Sequence, residues 1–126
     1  MTPGGFHSFE HRWALPEAFQ FHDDLGGRTK VAETTHSLAA RLKDGLAEMR
    51  SVTLKTPRDP ALSAGLVCVE VAGADPQEVV DRLREEQSIV ASVTPYATRY
   101  VRFGPSVANT VDDVDKAIEA LAAVTG

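Results

Sequence analysis

The stretch Tyr100-Val-Arg-Phe-Gly-Pro-Ser-Val-Ala-Asn-Thr-Val-Asp-Asp-Val-Asp-Lys-Ala-Ile-Glu-Ala-Leu121 decides the fold. It opens as a short apolar strand carrying one arginine and turns at Gly104-Pro105. A helix then begins where Thr110 and Asp113 form a capping box, and Val114, Ala117, Ile118 and Leu121 fall on one face of it. Strand, turn and capped helix in this order predict a helix packed on a sheet. Arg102 stands in the middle of the strand. A guanidinium keeps its charge and presents a planar fork of donors, so among apolar neighbours it needs a carboxylate, a phosphate or water. On pattern alone it reads as an edge-strand arginine snorkelling to solvent or as an anion ligand. Arg99, three positions back, falls on the opposite face.

Working outward, residues 1–8 hold Pro3, Gly4 and Gly5 and read as a loop. A helix is expected from about Phe9 to Asp24, kinked or restarted at Pro16 and stopped by Gly26-Gly27. From Arg28 to Met49, the spacing of Val31, Leu38, Leu42, Leu46 and Met49 predicts a long amphipathic helix. Val52–Lys55 is a short strand closed by Pro57, and Gly65–Gly73, rich in β-branched residues, is the firmest strand. Asp75-Pro76-Gln77-Glu78 places an N-cap, a first-turn proline and an acid in the order of a helix start, and that helix buries Val79, Val80 and Leu83. Ile89–Ser92 and Thr98–Phe103 are the last two strands, joined across Pro95. The order implies an α+β fold: a small, mostly antiparallel sheet covered by helices on one face.

The 126 residues fit one modest domain, and 43% apolar with 25% charged residues is ordinary globular composition. The net charge of −5, with 13 basic residues scattered among 18 acids, argues against a nucleic-acid or anionic-membrane surface. Cys68 is the single cysteine, so no internal disulfide can form, which suits a reducing cytosol. With no apolar run of membrane-spanning length and no signal-peptide layout, a soluble, cytoplasmic protein is expected.

The run Val101-Arg-Phe-Gly-Pro-Ser-Val-Ala-Asn-Thr110 with its acidic helix start resembles the C-terminal segment of class V aminotransferase-like enzymes. These fold-type-I, pyridoxal-phosphate-dependent proteins include cysteine desulfurases, kynureninase and isopenicillin N epimerase. Pro16-Glu-Ala-Phe-Gln-Phe-His-Asp-Asp-Leu-Gly26 resembles their helix leading from the large domain into the small one, and the likeness extends over nearly the whole chain. It implies two parts, an N-terminal loop and linking helix over 1–27 and an α+β small domain over 28–126. It also implies that Arg102 grips the α-carboxylate of an amino-acid substrate, while Asn109 and Thr110 open the last helix. Gly4-Gly-Phe-His-Ser-Phe-Glu10 resembles the loop that reaches the cofactor phosphate of the partner subunit. Many relatives have Gly-Thr where this chain has Gly5-Phe6, leaving His7 or Ser8 to supply the contact. A homodimer is implied, with Phe6, Phe9 and Trp13 as its apolar surface.

Cys68, between Val67 and Val69, reads as a small packing residue. The desulfurases carry their reactive thiol on a loop ahead of the arginine strand, and Ser92–Thr98 here has no cysteine. The resemblance therefore points to an epimerase, lyase or transaminase relative, with Ala91-Ser-Val-Thr-Pro-Tyr96 nearest to isopenicillin N epimerase-like members. The family's Schiff-base lysine and cofactor cup belong to its large domain, and Lys30, Lys43, Lys55 and Lys116 match neither. The expectation is a substrate-clamping domain inactive alone, without cofactor, whether a fragment, a truncated product or half of a split enzyme. A free-standing small-ligand or protein-interaction module is the alternative. His7-Ser-Phe-Glu-His11 also spells an inverted zinc-peptidase motif, but the sequence singles out no third ligand.

Overall fold

A computed structural model describes residues 8–126. Two short helices come first, α1 (Phe9–Trp13) and α2 (Leu15–Asp24), with Pro16 in the first turn of α2, so the chain restarts rather than bends at the proline. Gly26 and Gly27 follow at φ 97° and 74°, a left-handed step open to glycine that turns the chain into α3 (Gly27–Ala47). Then come β1 (Val52–Leu54), β2 (Val67–Val71), α4 (Pro76–Gln87), β3 (Ser92–Val93), β4 (Val101–Phe103) and α5 (Val111–Thr125). The four strands form one antiparallel sheet in the order β1-β2-β4-β3.

Alternation along the strands sorts side chains onto two faces. Val52, Val67, Val69, Val71, Val101 and Phe103 point into the core and meet Leu38, Leu42 and Leu46 of α3, Val79 and Leu83 of α4, and Val114 and Leu121 of α5. Removing each such side chain from water is worth about 1.5–3 kcal/mol, so this single layer carries most of the stability. The helix starts are local. The Asp75 side chain accepts from the Gln77 N–H at 2.8 Å, and Thr110 and Asp113 exchange both bonds of the capping box. Helix α3 meets α5 at Gly45, where a Cβ would run into Ile118, and Arg41 grips Asp115 through Nε at 2.6 Å and Nη2 at 2.7 Å.

The strands are shorter and partly displaced relative to the sequence reading. The chain after α4 is spent on the helix end, with Ser88 at φ 58° and the Ile89 N–H donating to the Leu83 carbonyl, so β3 begins only at Ser92. The predicted strand Ile89–Ser92 thus moves to Ser92–Val93. Nor is β4 an edge, since it lies between β2 and β3. No helix among the described residues is long and apolar enough to cross a membrane.

Candidate functional site

Among the described residues, no helix lies on the second face of the sheet. Register places its side chains in rows: Ser92, Arg102 and Cys68 are cross-strand neighbours on β3, β4 and β2, and Glu70 lies opposite Thr53 on β1. One step along β4, Tyr100 shares this face with Lys55, whose ammonium lies 5.5 Å from the Tyr100 ring centre and bridges Glu70 at 2.5 Å. The Glu70 hydrogen bond holds Lys55 above the ordinary lysine pKa, so that pair is a closed unit. In the other direction the face becomes apolar, with Leu66 and Val90 both exposed beside Gly104.

Arg102 is the cation of the middle row. Its Nε donates to Ser92 Oγ at 3.0 Å, and Ser92 Oγ in turn donates to the Arg102 carbonyl at 3.4 Å. Each of the five ion pairs among the described residues belongs to another basic residue: Arg41, Lys55, Arg58, Arg82 or Arg99. Arg102 therefore presents a half-buried guanidinium without a carboxylate partner among those residues. Arg99 goes to the helix side as alternation requires, and its Nη2 meets the α4 cap residue Asp75 at 2.8 Å.

Other predicted residues are placed less simply. Asn109 Oδ1 accepts from the Ser106 N–H at 3.0 Å and braces the turn before Thr110, the N-cap of α5. The Thr110 backbone N–H, donating to Asp113, lowers the pKa of that carboxyl. A depression of about 260 Å³ lies at this end of β4, lined by Val90, Gly104, Pro105, Asn109 and Asp113, and Arg102 is not in its wall. The reading of Cys68 as a packing residue is corrected: its side chain sits on the bare face, beside Arg102, because the core takes Val67 and Val69. Ser8 is exposed and its hydroxyl donates to Glu10, while His7 and Phe6 lie outside the described residues. His11 is exposed, and the described residues contain no group of three or more metal-ligating side chains.

Lys43 and Lys55 are both engaged within the fold. Lys43 is buried at 4% exposure, and its three N–H donors go to the Pro57 carbonyl at 3.1 Å, the Arg58 carbonyl at 3.1 Å and Ser63 Oγ at 2.8 Å. Those three bonds tie down the loop between residues 57 and 63. Lys55 is paired to Glu70, so neither of these two lysines presents a free amine to a cofactor.

No family model and no curated protein matches the sequence. Solved structures do. The chain superposes on the cysteine desulfurase CsdA of Escherichia coli, determined in its S-sulfonic acid form, with a TM-score of 0.66 and 21% identity over 75% of its length. It superposes on an apo cysteine desulfurase of Thermococcus onnurineus with a TM-score of 0.68 and 23% identity, again over 75%. The likeness is one of fold. The chain spans about a quarter of these proteins, 25% and 26% of their lengths. The α+β architecture, an antiparallel four-stranded sheet with helices packed on it, is shared with part of each of these two structures. Neither neighbour supports the isopenicillin N epimerase-like assignment in particular.

Proposed function

We propose that this chain is the substrate-clamping small domain of a class V aminotransferase-like enzyme, with Arg102 as the ligand of an amino-acid carboxylate. The observation that carries the reading is a guanidinium on the bare sheet face with no carboxylate partner among the described residues. In this reading the Schiff-base lysine and the pyridoxal phosphate belong to a large domain that covers the bare face, and 28–126 is the small domain that 1–27 links to it. The chain's own residues bind and orient a carboxylate and perform no bond chemistry. The reaction is an epimerase, lyase or transaminase step, because no thiol stands in Ser92–Thr98. Phosphate contact by His7 and Ser8 belongs to the same proposal, and Ser8 would first have to release Glu10. The exposed Phe9 and Trp13, four residues apart on α1, belong to the apolar surface proposed for pairing in a homodimer.

Calorimetry tests the reading. The chain alone should give no heat with millimolar amino acids, should bind a co-expressed large domain saturably, and in that assembly should lose amino-acid binding on Arg102→Ala. Saturable binding of a free amino acid without any partner would instead establish the second reading, an independent ligand module.

A further inference from the structure

We infer that Ser92 is a positioning residue that presets Arg102 for end-on, two-pronged capture of a carboxylate; this inference rests on the clamp reading above. A guanidinium has two forked edges that match a carboxylate, one formed by Nε and Nη2 and the other by Nη1 and Nη2. With Nε donating to Ser92 Oγ at 3.0 Å, the side edge is engaged and the end edge is the one left to offer.

The direction of that bond is fixed by chemistry. Arginine has no acceptor, so the serine oxygen must accept, and its own proton goes to the Arg102 carbonyl at 3.4 Å. One hydroxyl thus ties the end of the side chain back to the strand it grows from. Strand pairing makes the arrangement possible, since Ser92 lies opposite Arg102 in the β3–β4 register. Because the guanidinium plane is held before any ligand arrives, less side-chain freedom is lost on capture.

Nuclear magnetic resonance on the chain itself tests this through the Arg102 side-chain nitrogens. The probes are sodium acetate and, at equal ionic strength, sodium chloride. In the unaltered chain acetate should shift the Arg102 Nη resonances while the Nε–H signal stays in place and exchanges slowly with water. In Ser92→Ala the Nε–H should exchange faster and the acetate response should weaken about fivefold, the size of one net hydrogen bond. Ser92→Thr, which keeps the hydroxyl on a strand-favouring residue, should restore both. Equal acetate responses in the unaltered chain and Ser92→Ala, with unchanged backbone spectra, would overturn the role of Ser92 and leave the clamp reading standing. An unaltered chain whose Arg102 answers acetate no more than chloride would overturn the preset end edge, while the clamp reading, which places amino-acid binding in the assembly, is decided by the calorimetry. A Ser92→Ala chain whose backbone spectrum collapses would show Ser92 to be a structural residue, and Ser92→Thr failing to restore the response in a folded chain would likewise count against positioning.

Discussion

The two faces of the same sheet differ more than any two elements of the molecule. Val67, Val69 and Val101 are fully buried under helices, while Cys68, Glu70 and Arg102, one residue away on the same strands, look outward. A period of two lets five residues of β2 serve both faces at once, so stability and binding chemistry are separated by alternation rather than by distance. One face holds the fold together, and the other is free to carry an arginine that a core could not accept.

The sharpest way to break this comparison is to truncate one residue from each side. Leu121→Ala, at a fully buried site, should cost about 2–5 kcal/mol in urea unfolding. Arg102→Ala should change stability by no more than about 0.5 kcal/mol. Similar losses for the two would mean that the bare face is also structural. Next in size is Lys43→Met, which keeps the buried stem but removes the donor from Pro57, Arg58 and Ser63. A cost of about 1–3 kcal/mol and faster proteolysis between residues 57 and 63 are expected.

Thr110→Ala removes the cap of α5, part of the covering layer, and should cost about 1 kcal/mol while leaving the acetate response of Arg102 untouched. The smallest effect is in acid. Asp115, hydrogen-bonded by Arg41, and Asp113, bonded first by the Thr110 backbone, both have lowered pKa values. A lowered folded value stabilises above the unfolded pKa and is lost as pH falls through the folded one, so the urea midpoint should drop below about pH 4. Asp115→Asn should flatten that drop, and an unchanged acid limb would show that the α3–α5 ion pair contributes nothing to holding the cover in place.

The sequence by itself determined what neighbouring residues can settle. Asp75-Pro76 and Thr110 with Asp113 mark their helix starts because the capping bonds span two or three residues, and Gly26-Gly27 stops α2 through its own backbone freedom. Alternating valines made β2 legible, and Arg102 stood out because a charge on an apolar strand is anomalous within a few positions. Only the tertiary structure decided which strands become neighbours. Arg102 was legible as a residue of an edge strand, but hydrogen bonds to β2 on one side and β3 on the other make its strand an interior one. Ser92 became its partner, and Cys68 its neighbour, through registers set between segments ten and thirty-four positions away. The burial of Lys43 likewise depends on a loop fourteen to twenty residues further on. Capping and periodicity are local and can be read in the chain, whereas register and the shielding of a face arise only when distant segments close on one another.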